Sequence, residues 1–201
     1  MKAVDLNSSS RDLLAPLCRS CLWWQSARAR VQPGASDARR SWEEAVEATT
    51  GFFGRALLDD DEVLGWMHVA PAGLVPRAAR LPAGPPSADA HLLLCSYFYD
   101  EEYLNGFQRL LHEVESALKA RGATALEAFA ARHQHADEPL RGYVREMNLF
   151  RPEVLEGNGF RPLRRTAEIT RYRLDLKTLV PAARLSRARK EREAGPAVQP
   201  V

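Results

Sequence analysis

The stretch from His91 to Gly122 limits what this chain can fold into more than any other. HLLLCSYFY is nearly unbroken apolar sequence bounded by Asp89 and Asp100, and a run of that length reads as a strand covered on both faces in the middle of a sheet. After the turn EEYLNG, Phe107, Leu110, Leu111, Val114 and Leu118 recur at helical spacing, with Glu113, Glu115, Lys119 and Arg121 on the opposite side. That pattern predicts an amphipathic helix from Phe107, stopped by Gly122 in the left-handed C-terminal position. A helix starting just after a central strand aims its unpaired N–H groups at whatever lies in front of the strand's end. Such a place suits an anion.

Around this unit the chain reads as alternating strands and helices. Lys2–Leu6 is a short edge strand, and Ser8–Ser10 with Asp12 open a helix through Leu13, Leu14 and Leu17. CRSCLWWQ comes next. Cys18 and Cys21 have the spacing of half a zinc site, for which His133 and His135 would be the distant partners. A packed turn anchored by Trp23 and Trp24 is the favoured account, and no metal site is expected. Residues 28–36 form a loop. From Ser36 a second helix buries Trp42, Ala45, Val46 and Thr49, leaves Glu43, Glu44 and Glu47 to solvent, and ends at Gly51.

Arg55–Leu58 and Val63–Val69 flank the acidic run Asp59–Glu62 as a hairpin. On the second of these strands Val63, Gly65, Met67 and Val69 share one face, and Leu64, Trp66 and His68 the other. The connection 70–90 holds Pro71, Pro76, Pro82, Pro85 and Pro86, too many for regular structure across it. Leu74, Val75 and Leu81 are placed to pin it, and Arg77 and Arg80 to meet an anion or solvent. Thr124–Phe129 is a strand parallel to the central one. A polar loop over Ala130–Leu140, a short helix over Gly142–Leu149, and another over Arg151–Asn158 come next. Phe160–Thr166 and Glu168–Lys177 close the sheet.

The fold class is therefore α/β, layered, with a mixed central sheet of about six or seven strands flanked by helices. Residues 1–178 make one domain, and 179–201 are a basic tail without an apolar pattern. The charge, 28 basic against 26 acidic residues, is too balanced for the domain as a whole to bind nucleic acid, although Arg184–Arg192 is locally basic. No apolar run is long enough to span a membrane, no signal-peptide core opens the chain, and three cysteines fit a reducing compartment. The expected location is cytoplasmic.

Strand, turn and helix, then the short strand TALEAFA and a helix ending in EGNGF, resemble the acetyl-CoA-dependent N-acetyltransferases of the GNAT superfamily over residues 51–177. CRSCLWW, GWMHVAPAGLVPR and RYRLDL resemble small actinobacterial members in particular. The resemblance implies acetyl-CoA as cofactor and an amine acceptor, either a small molecule or a protein amino group, with a homodimer as a possible assembly. It implies that Phe98 and Tyr99 hold the acyl carbonyl and pantetheine through backbone N–H groups, with Cys95–Tyr97 on the acceptor side. Asn105, Gly106, Phe107 and Gln108 fall on the pyrophosphate side.

The superfamily's Arg/Gln-x-x-Gly-x-Gly/Ala turn is represented by Glu102, Asn105 and Phe107, with Gly106 displaced between them. A carboxylate there repels the cofactor's phosphates by roughly 4 kcal/mol before salt screening. Leu155 stands where many members carry the tyrosine that protonates the leaving thiolate, and Tyr143, Tyr97 or a water are the candidate substitutes. His68 and Glu127 are the candidate bases. The plainer readings are a structural histidine and a glutamate paired with arginine. The alternative function is a diverged GNAT fold that no longer uses acetyl-CoA and serves as a binding or regulatory partner, or takes another ligand.

Overall fold

The architecture is that of a single mixed sheet in a computed structural model, which describes residues 1–26, 35–99, 103–131 and 149–178. Its strands are β1 (Lys2–Leu6), β2 (Gly54–Asp59), β3 (Glu62–Pro71), β4 (Ala90–Phe98), β5 (Ala125–Ala131), β6 (Arg161–Arg165) and β7 (Ile169–Asp175). They lie in the order β1-β2-β3-β4-β5-β7-β6. Every neighbouring pair is antiparallel except β4 and β5. The helices are α1 (Pro16–Ser20), α2 (Ala35–Thr50), α3 (Pro76–Arg80), α4 (Tyr103–Ala120) and α5 (Pro152–Gly157). The expected layered α/β class and strand number are observed.

Strand alternation divides the buried side chains into two cores. Met67, Val69, Leu93, Leu126 and Tyr172 pack with Phe107, Leu110, Leu111 and Val114 of α4 and Leu155 of α5. Trp66, Ala70, Leu92, Leu94 and Phe129 pack with Leu14, Trp24, Val46 of α2, and Val75 and Ala78 beside and within α3. β4 contributes to both cores, which is why its sequence is apolar throughout. The hairpin between β2 and β3 turns at Asp60, whose φ is 50°.

Several local expectations are corrected. The first helix is broken at Pro16. Arg11–Leu13 is a 3-10 turn, Leu14 and Ala15 are extended, and α1 restarts at the proline, because a residue before proline avoids the helical region. Leu17 is consequently 84% exposed. α2 buries Ala35, Arg39, Glu43, Val46 and Thr50, whereas Ala45 and Thr49 are exposed. Glu43 is inside because Arg39 and Arg11 neutralise it there. A register shift beside Leu58 puts Leu64 on the α4 face and Val63 on the other, so the predicted grouping of Leu64 with Trp66 and His68 fails.

In the proline-rich connection, Pro76 starts a one-turn helix instead of preventing one, since a first helical residue has no N–H to lose. α4 begins at Tyr103, a turn before Phe107, and Glu115 is buried rather than solvated. The loop over 28–36 and the loop and helix over Ala130–Leu149 fall largely, and the tail entirely, outside the described residues.

Candidate functional site

Among the described strands the parallel pair, β4 and β5, is short. β4 and β5 are in register only over Ala90–Leu92 and Ala125–Glu127, while both strands continue, β4 to Phe98 and β5 to Ala131. Beyond the last pair β5 has another partner on that edge. Phe150 bridges Ala130, with its N–H donating to Phe129 O at 2.9 Å and its carbonyl accepting from Ala131 N–H at 3.0 Å. The sheet therefore opens between β4 and β5, and α4 begins at the end of β4 after residues 100–102.

A second register shift, between β3 and β4 beside Val69, aids this departure. His68 lies opposite Cys95 and Val69 opposite Leu93, so Leu94 is extra, and its carbonyl accepts from the Trp24 Nε1–H at 2.7 Å. The bulge turns Cys95 toward the α1–α2 side, where Leu94 already points. From there the alternation sorts the strand's end: Phe98 packs with the α4 core, while on the other face Tyr97 stacks on Trp66 and Tyr99 meets it edge-on.

On the α4 side, a Cβ at Gly106 would come within 3.1 Å of the Phe98 ring, so the glycine admits close approach of helix and strand. The Phe107 ring is buried in the core and meets Phe150 at 6.2 Å and 66°. Gln108 is exposed. Asn105 belongs to the first turn of α4, and Tyr143 lies outside the described residues. The Tyr99 amide donates to Leu64 O at 3.0 Å, so it is already engaged.

On the α1–α2 side, His68 is buried, with Phe53 stacked on its ring and Nδ1 at 3.3 Å from Cys95 Sγ. Burial, and then the charge of Arg39, hold its pKa well below the usual 6.5, so the ring is neutral at pH 7. Burial likewise pushes the Cys95 and Cys18 thiols up, which makes them poor nucleophiles. The Arg39 guanidinium holds Glu43 at 2.7 Å and donates to Cys21 O at 3.1 Å. His68 Nε2 and Arg39 Nη2 are buried and have no hydrogen-bond partner among the described residues.

Glu127, the other candidate base, lies on β5. Wholly buried, it binds Arg171 at 3.0 Å and Arg173 at 3.1 Å, and accepts from the Ser87 N–H at 3.2 Å. Arg173 also holds Asp89, lowering its pKa to about 2. The proline-rich connection is fastened on the α1–α2 side by Trp42 Nε1–H to Leu74 O at 2.7 Å and by Arg77, which lies over the Trp23 ring and donates to Trp23 O. Cys18 and Cys21 are free thiols, and no grouping of three metal-binding side chains exists among the described residues. His133 and His135 lie outside them.

Sequence reasoning missed the Arg11–Glu43–Arg39 cluster and the aromatic group Trp66–Tyr97–Tyr99. The spacing of the two tyrosines was a usable signal; their pairing with Trp66 depends on strand register.

No protein-family model and no curated protein matches the sequence. Among solved structures, the aminoglycoside 6'-N-acetyltransferase from Enterococcus faecium aligns with 88% of this chain and 97% of its own, at TM-score 0.52 and 13% identity. An aminoglycoside 6'-acetyltransferase type Ii aligns over 88% of this chain and 97% of its own, at TM-score 0.51 and 12% identity. At these identities what is shared is the architecture, and the chain has the fold of the GNAT N-acetyltransferases.

Proposed function

We propose that this protein is an N-acyltransferase that holds an acyl-CoA, most simply acetyl-CoA, where β4 and β5 part, and passes the acyl group to an amine arriving on the α1–α2 side. One observation carries the reading: the sheet's parallel pair separates after Leu92 and Glu127, with a long helix starting at the end of the departing strand. That both similar solved structures act as acetyltransferases supports transfer to an amine.

Glu102 lies outside the described residues, and the described residues at this end of α4 fit the cofactor. Because the Phe107 ring is in the core, it takes no room in the turn, and Gly106 lets α4 start close against β4. We assign the acyl end to the β4 segment ending at Phe98, and the phosphate end to the start of α4, with Asn105, Gly106, Phe107 and Gln108 in its first turns. When bound, acyl-CoA supplies an activated carbonyl with a thiolate leaving group.

The chain's own task is to orient the amine and move protons. His68 is of a suitable type for a base, but burial makes it a weak one, and we assign it to position Cys95 and the β3–β4 bulge on the acceptor side. Glu127, clamped by two arginines, is assigned to hold β5, β7 and the Ser87 segment together. Leu155 is buried and has no proton to give, so Tyr143, Tyr97 or a water is the candidate donor to the thiolate. Within this reading the acceptor is a small-molecule amine or a protein amino group, met in the cytoplasm; no helix among the described residues is long and apolar enough to cross a membrane.

Calorimetric titration with acetyl-CoA and with free coenzyme A tests the reading. Micromolar dissociation constants are expected for both, and an absence of heat at millimolar ligand would overturn it.

A further inference from the structure

The end of β4 carries two exposed aromatic rings that the fold does not need for its core. Tyr97 is 40% exposed and Tyr99 58%, and the other exposed large apolar side chains among the described residues, Met1, Leu17 and Leu163, lie apart on β1's flank, α1 and the edge strand β6. The two tyrosines are not loose. Tyr97 lies directly opposite Trp66 in register and stacks on it, with centroids 4.7 Å apart and planes at 17°. Tyr99 meets Trp66 edge-on at 5.6 Å and 70°, and Tyr97 at 5.1 Å and 81°. Trp66 is wholly buried beneath, beside the Cys18 thiol. Two rings are thus fixed in orientation by a third, which spares a ligand the entropy of ordering them.

Their position gives the ledge a use. The bulge at Leu94 places Cys95, Tyr97 and Tyr99 on the α1–α2 face, while Phe98 turns to the α4 face. One strand end therefore presents its α4 side to the cofactor and its aromatic side to whatever receives the acyl group.

We propose that the acceptor is an amine bearing an aromatic ring, and that Tyr97 and Tyr99 receive that ring. The inference rests on the acyltransferase reading for the fate of the amine, but the recognition of the ring does not. Aromatic faces take a second ring in offset or edge contact and attract a nearby ammonium. On the α1–α2 side Glu43 lies between Arg11 and Arg39 and Asp12 pairs with Arg19, so neither is open to a polycation such as an aminoglycoside.

The test is calorimetric titration of the full chain with phenylethylamine, butylamine and kanamycin, run beside the acetyl-CoA titration. Phenylethylamine should bind about tenfold more tightly than butylamine, and kanamycin no better than butylamine. Tyr99→Ala should abolish that preference and Tyr99→Phe should keep it. Because its ring is largely exposed, Tyr99→Ala carries the test even if Tyr97→Ala, which uncovers Trp66, fails to fold. Equal affinity for the ring-bearing and aliphatic amines, or a preference that survives Tyr99→Ala, overturns the ledge, whatever acetyl-CoA does. A ring preference without acetyl-CoA binding upholds the ledge and overturns the acyltransferase reading. Acetyl-CoA binding without a ring preference does the reverse.

Discussion

Glu127 has no solvent exposure, and its carboxylate is held by Arg171, Arg173 and the Ser87 N–H. Removing it would leave Arg171, itself buried, with no counter-charge among the described residues. We expect Glu127→Ala to cost about 3–5 kcal/mol in urea unfolding, because breaking one half of a buried ion pair strands the other. Glu127→Gln, which keeps an acceptor for one guanidinium, should cost less; equal losses would show that charge is not the cause. From sequence, Glu127 was a strand residue with two open roles, base or partner of an arginine. Which arginines reach it depends on the register of β5 on β7, where Glu127 faces Arg173, and that register is a property of two strands rather than one. His68 is similar: its candidacy came from its type, but its neutral state comes from Phe53, Cys95 and Arg39, which are distant in the chain.

Elements meet tightly where β3 pairs with β4. A Cβ at Gly65 would lie 2.4 Å from both the Tyr97 carbonyl oxygen and Phe98 Cδ1. A backbone oxygen cannot rotate away, so Gly65→Ala has to part the strands under the aromatic ledge. It should destabilise by roughly 1–3 kcal/mol and shift the near-ultraviolet circular dichroism of Trp66 and Tyr97. Gly122 presents the opposite case. Nothing lies within 4 Å of its missing Cβ, but φ is 84°, and Gly122→Ala should cost roughly 1–2 kcal/mol through the left-handed backbone alone, with aromatic signals unchanged. The Gly122 stop and the apolar face of α4 were evident from spacing, as was the two-sided burial of β4. The start of α4 was not, because Tyr103–Gly106 carries no apolar period and is drawn into helix by the amphipathic turns from Phe107 onward.

The molecule as a whole should lose stability in mild acid. His68 and His91 both have lowered pKa values through burial, so the unfolded chain takes up protons near pH 6.5 that the fold refuses. Their contribution is complete above pH 6.5 and declines as pH falls below it, by at most about 1.4 kcal/mol per pH unit for each ring. Glu115, raised above 4.5 by burial, works against this as pH falls toward 4.5, and Asp89, held at about 2, adds a separate loss below 3.8. Urea unfolding at pH 7 and pH 5.5 should show the decline, and His68→Gln should flatten it; an unchanged slope would place a proton on His68 in the fold. By itself the sequence determined the layered α/β class, the central strand–turn–helix unit and most element ends, because these depend on local period and on glycine and proline geometry. Only the tertiary structure decided where β4 leaves β5, which way the bulge turns Cys95 and the tyrosines, and which charges neutralise Glu43 and Glu127. Those outcomes are set by contacts between segments far apart in the chain, which no local pattern encodes.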